Sequence, residues 1–144
     1  MASCGLDRET GEPLYDLDHV YQSVGTLLTT RLAEMITLEW FGGGLAEILG
    51  RRLTPRLIDL YRTLLALAIR TWEPRLQVVR VYVPSATEAN GNTLNAVTLG
   101  QIRFAVLAYY RPRGHLGDFT VEGGLRTFVV AANDNRLSVT LAAA

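Results

Sequence analysis

Lysine is missing from the chain: all fourteen basic residues are arginine, set against fourteen acidic ones, and the formal net charge at pH 7 is zero. That balance leaves no basic field to gather nucleic acid or an anionic membrane surface. An all-arginine complement reflects either genomic base composition or a preference for the planar fork that pairs carboxylates. Cysteine is nearly missing too. The lone Cys4 cannot close an internal bridge, and His19 and His115, the two histidines, show no zinc-type spacing, so neither a disulfide framework nor a metal cofactor is expected. Long apolar runs are also lacking. The longest, Leu64 to Ile69, lies between Arg62 and Arg70, far short of the roughly 20 residues that span a bilayer. No Gly-x-Ser-x-Gly elbow, phosphate-cradling loop or dinucleotide fingerprint occurs, and Gly42-Gly43-Gly44 reads as a hinge between buried segments. Residues 1–13 mix Arg8 with Asp7, Glu9 and Glu12 and carry no apolar block; they read as a flexible N-terminal arm rather than a secretion signal.

What is present suits one globular domain, residues 14–144. With 144 residues, 49% of them hydrophobic and 19% charged, a chain of this length buries roughly 68–70% of its unfolded surface and needs no staple. Asp16 or Asp18 can cap a first helix in which Leu17, Val20, Val24, Leu27 and Leu28 share a face, running to about Thr29. Thr30 to Phe41 follows no period and is expected to be irregular but buried. Leu45, Ile48 and Leu49 suggest a short helix ended by Gly50. From Thr54, apolar side chains at Leu57, Leu60, Tyr61, Leu64, Leu65 and Ala68 form one helical face, with Thr54 as N-cap and Pro55 at the first helical position.

Pro74 stops that helix, because its ring disfavours α geometry at Glu73. The chain then leaves as a β-branched strand in which Val79, Val81 and Val83 are expected on one face, with Val78, Arg80 and Tyr82 on the other. Residues 84–95, with Asn90-Gly91, read as a long hairpin connection. Alternation returns in Ile102, Phe104, Val106 and Ala108, and Leu125–Ala131 and Leu137–Leu141 offer two further strands. The expected fold class is α+β: a small antiparallel sheet of three to four strands with helices packed on one face.

Chemistry is thinly supplied. Glu34 and Glu73 are the only carboxylates embedded among apolar neighbours, and glycoside hydrolysis needs two, one of them protonated. Arg31 and Arg75 stand close to them in sequence, and a nearby cation favours the ionised carboxylate, the wrong state for a general acid. Glu73 and Arg75 flank a proline-stiffened corner, so they either pair locally or present opposite charges to a partner at low entropic cost. Arg80 with Tyr82 is either a solvated surface or an interface.

Trp72-Glu73-Pro74-Arg75 carries a resemblance. A Glu-Pro-Arg signature after a long helix resembles that of the baseplate wedge proteins of contractile injection machines, the W-like phage family that includes the type VI secretion component TssE. An upstream block of that family is matched by Thr30, Glu34, Phe41 and Gly42, while Ala33, Met35 and Glu39 stand where Gly, Arg and Pro are usual, so no Arg contact is carried over to Met35. The similarity spans about Val20 to Val83 and continues through Gln101 to Tyr110. It implies a non-enzymatic part, without cofactor, that docks on wedge core subunits (TssF/TssG-like) and starts tail sheath assembly by offering a sheath-like sheet edge. Tube or hub proteins are further neighbours, in a sixfold assembly located in the virion tail baseplate and put together in the host cytoplasm. On that resemblance Glu73, Pro74, Arg75 and Glu34 are expected to bind the wedge, and Arg80 and Arg103 to face sheath arms. The alternative is a tail-associated, lysozyme-like peptidoglycan hydrolase using Glu34 or Glu73.

Overall fold

The computed structural model describes residues 3–45, 47, 54–84, 102–133 and 136–141. Its elements are β1 (Cys4–Leu6), β2 (Pro13–Tyr15), α1 (Asp16–Thr29), α2 (Pro55–Trp72), β3 (Leu76–Tyr82), β4 (Ile102–Tyr110), β5 (Glu122–Asn133) and β6 (Arg136–Leu141). Strands β3, β4, β5 and β6 pair in that order as an antiparallel meander. The expected α+β class holds, with four strands in the main sheet. The proposed short helix through Ile48, Leu49 and Gly50, and most of the 84–95 connection, lie outside the described residues.

Helix α2 begins as its sequence dictates. The Thr54 hydroxyl accepts from the Leu57 N–H at 3.3 Å and Pro55 takes the first helical position, where no N–H is needed. Helix α1 starts at Asp16, with Tyr15 rather than Asp16 or Asp18 in the cap position and no side-chain hydrogen bond from Tyr15 there. Both helices lay their apolar stripes on the same face of the sheet. Val20, Val24 and Leu28 of α1 and Tyr61, Leu65 and Ile69 of α2 meet Val78, Val81, Phe104, Val106, Phe128 and Val130 in one core. Cross-strand pairs build its floor: Val81 stands opposite Val106, which stands opposite Phe128. Tyr61 lies 5.9 Å from Phe104, and Tyr21 meets Phe128 edge-on at the same distance.

Three local expectations are corrected. Strand β3 does not keep a strict alternation: Val78 pairs with Ala108 and Arg80 with Leu107, so Val79 is an extra, bulged residue. Val78 and Val81 therefore both reach the core, while Val79 is 51% exposed. The supposed N-terminal arm contains a hairpin, β1 against β2, because Asp7 Oδ1 accepts from the N–H groups of Glu9 and Thr10 to nucleate the turn. Gln22 of α1 then holds it, donating to the Leu6 carbonyl and accepting from the Arg8 N–H. The 31–41 segment is irregular as expected but not buried. Short turns such as Glu34 N–H to the Arg31 carbonyl satisfy its backbone locally, leaving Leu32, Met35, Ile36 and Trp40 in solvent.

Candidate functional site

The corner between α2 and β3 is built from local constraints first. Glu73 N–H still bonds the Ile69 carbonyl at 2.9 Å, completing the last helical turn, and Leu76 N–H returns to the Glu73 carbonyl at 3.0 Å. Between them Pro74 forces the chain outward. That geometry turns the side chains of Glu73 and Arg75 toward each other. Arg75 Nε donates to Glu73 Oε1 at 2.6 Å and Nη2 to Oε2 at 2.8 Å, a two-pronged pairing that consumes both carboxylate oxygens.

The pair is also sealed from water. Glu73 is 2% exposed and Arg75 8%. Of the two prospects left open by the sequence, local pairing is seen in the isolated chain: these charges face each other rather than solvent, and Pro74 alone of the three stands exposed. Burial follows from what converges here. The remaining Arg75 prong, Nη1, donates to His19 Nδ1 of α1 at 3.1 Å. That ring in turn lies against Gly5 of the N-terminal hairpin. On the other side the Arg75 carbonyl accepts from Arg111 N–H at 2.8 Å, and the turn after β4 brings Gly114 onto the Pro74 carbonyl, where an added Cβ would come within 2.3 Å.

An Arg prong can only donate, so His19 Nδ1 must be the unprotonated nitrogen. Burial pushes the His19 pKa below its ordinary 6.5, the Arg75 charge pushes it the same way, and Glu73 partly opposes them. A folded-state pKa below the unfolded one gives stability that is whole above about pH 6.5 and is lost as the pH falls through the folded value. Melting of the wild type should therefore drop more between pH 7.5 and 5.5 than melting of His19→Gln, which keeps an acceptor and does not titrate. Parallel pH profiles for the two would remove His19 from the account.

The upstream motif joins the corner from behind. Phe41 packs edge-on against Trp72, centroids 5.1 Å apart. Thr30 closes α1 with its hydroxyl on the Thr26 carbonyl at 2.7 Å, and Gly42, at φ +134°, lies so close that a Cβ would sit 2.8 Å from the Thr30 carbonyl oxygen. Thr30, Phe41 and Gly42 are thus gathered beside the Glu-Pro-Arg signature. Glu34 is not: it is exposed, its Oε2 accepting from Arg31 N–H at 2.7 Å. Arg80 and Arg103 lie on the outer sheet face, both exposed. The Arg80 guanidinium stands 5.9 Å over the Tyr82 ring, and Arg103 lies at the end of β4 farthest from the corner. His19 and Gly114 were not legible as part of this site, since nothing near them in sequence marks a contact with residues so distant.

Among the described residues no group of three or more His, Cys, Asp or Glu side chains is placed to hold a metal ion, and no helix is long and apolar enough to cross a membrane. Comparison with known proteins agrees with the corner signature. Baseplate protein W of Escherichia phage P2 is 30% identical over 77 residues, 54% of this chain and 67% of the phage protein. Among solved structures, a chain of the postcontracted pyocin R2 baseplate superposes with a TM-score of 0.56 at 22% identity, covering 75% of this chain and 98% of that one. A Geobacter sulfurreducens protein described as "putative tail lysozyme" gives 0.54 at 18% identity, covering 80% and 91%. Both likenesses concern the fold. A family model described as baseplate wedge protein gp25 matches residues 15–109, from the start of α1 to the end of β4 and across the whole corner, and the chain belongs to that family.

Proposed function

We propose that the chain is a structural part of a contractile-tail baseplate, which docks on wedge core subunits and starts the sheath by offering its sheet edge to a sheath arm. The observation that carries the docking half is the 31–41 loop. Ile36 is 94% exposed and Trp40 69%, with Leu32 and Met35 beside them, a density of apolar side chains that a protein does not leave in water without a partner. Phe41 pins this loop to Trp72, so the buried Glu73–Arg75 pair acts as the frame that holds the docking loop rather than as the contact itself. The sheath half rests on backbone chemistry: a terminal strand offers unpaired N–H and C=O groups onto which an extended arm can add.

The reading predicts that Ile36→Ser/Trp40→Ser weakens co-purification with wedge subunits at least roughly tenfold while the melting temperature of the isolated chain stays put. Undiminished binding would overturn it. A hydrolase reading has little to work with, since Arg75 occupies both oxygens of Glu73 and Glu34 is tied to its own turn. Cell-wall clearing in a zymogram, lost on Glu34→Gln, would reverse that judgement.

A further inference from the structure

The two borders of the main sheet differ. Strand β3 is one of them, and two of its carbonyls, those of Val78 and Val81, are already taken by side chains of α2. Arg70 Nη2 donates to the Val78 carbonyl at 3.1 Å and Arg62 Nε to the Val81 carbonyl at 3.1 Å. Arg62 is further held by Asp59, whose Oδ1 accepts from Nη1 at 3.0 Å. The spacing makes this a matched pair. Eight residues of helix rise about 12 Å, and the three strand steps from Val78 to Val81 advance about 10 Å. Because α2 and β3 run in opposite directions, Arg62 meets the later carbonyl and Arg70 the earlier one. Between the two capped carbonyls sits the Val79 bulge, which breaks the flat repeat an added strand would need.

An incoming backbone N–H is a neutral donor. It would have to displace charge-assisted bonds from guanidinium groups that are held in place by the helix. Strand β6 is the other border: it pairs with β5 on its inner side, and no further strand lies beyond it among the described residues. The register begins at Asn133 opposite Arg136, and antiparallel alternation turns the N–H and C=O of every second β6 residue outward.

We infer that Arg62 and Arg70 close β3 to strand addition, so that the sheet accepts an extended polypeptide on β6 alone. The statement about β3 concerns the isolated chain and stands without any baseplate. Assigning the β6 occupant as a sheath arm rests on the function proposed above.

The test uses the full chain and needs no partner. Arg62→Ala/Arg70→Ala should self-associate at least tenfold more tightly than wild type in sedimentation equilibrium, with hydrogen-exchange protection gained at the amides of residues 76–82 as concentration rises. Arg62→Met/Arg70→Met keeps the aliphatic stems packed and should behave the same way if the alanine pair does not fold. An unsealed variant that associates no better than wild type overturns the inference. So does a wild-type chain that itself gains protection in β3 on association. In a separate mixture of wild type with sheath subunits, protection appearing in β3 rather than β6 would also refute it. Absence of any sheath binding there would remove the proposed function and leave the β3 result standing.

Discussion

Arg75→Ala is expected to destabilise the fold by about 3–5 kcal/mol, the usual cost of removing one member of a buried ion pair and leaving the other charge without its partner. Glu73 would remain almost fully buried, with neither oxygen paired to the guanidinium that now occupies them. For a chain of this size each kcal/mol moves the midpoint by roughly 2–4 °C, so thermal melting should fall by about 10 °C. Arg75→Lys should recover only part of the loss, because an ammonium cannot span both carboxylate oxygens and His19 at once. Replacing the pair together, Glu73→Leu with Arg75→Met, should cost less than Arg75→Ala alone, since no charge is then stranded. A single alanine variant that melts within about 3 °C of wild type would show that water reaches the corner and that the pair is not what holds it. The same reasoning means that charge reversal at Arg75 cannot serve as a clean probe of docking, since the fold itself would suffer. The exposed 31–41 loop is the place to test binding.

Gly114→Ala is the second large effect. The added methyl would lie 2.3 Å from the Pro74 oxygen, 2.8 Å from its carbonyl carbon and 3.2 Å from Arg75 Cα. All three are backbone atoms and cannot turn aside as a flexible side chain could, so the turn after β4 must retreat. Retreat strains the Arg111 N–H bond to the Arg75 carbonyl, now 2.8 Å. Overpacking of this kind costs about 1–3 kcal/mol, and it should surface in a denaturant titration as a lower midpoint with an unchanged slope. Gly114→Ser, with a similar Cβ, should fall by a comparable amount. An unaltered midpoint in both would mean that this turn is free to move away from the corner.

Much of the architecture was legible because it is written locally. Thr54, Pro55 and Pro74 are punctuation whose effect does not depend on the rest of the chain, and α2 begins and ends where they say. Strand β4 alternates without interruption from Phe104 to Ala108 because both its neighbours are strands and no bulge interrupts that stretch. What escaped was non-local. Val79 is an unremarkable residue in sequence, and the bulge it makes is set by register against Ala108 and Leu107. Phe41 in sequence looks like one more buried aromatic, and its neighbours Ile36 and Trp40 follow no pattern that would distinguish a core segment from a presented one.

The candidate site divides along the same line. Glu73 and Arg75 could be singled out from a proline-bounded corner, since they stand only two positions apart with Pro74 between them. That the pair would be buried rather than left at the surface depends on His19, which lies 56 residues from Arg75, and on Gly114 on a turn beyond β4. No period or motif encodes that meeting.

The meeting has a consequence in time. Segments so distant in the chain close late in folding, because the entropy of joining them is offset only once the elements between are in place. A partly folded copy, with its sheet unformed or α1 undocked, lacks the frame behind Trp72 and so cannot hold the 31–41 loop in shape. The junction therefore works as a proof of completion: only finished molecules carry, in its final shape, the surface to which the proposed function assigns docking.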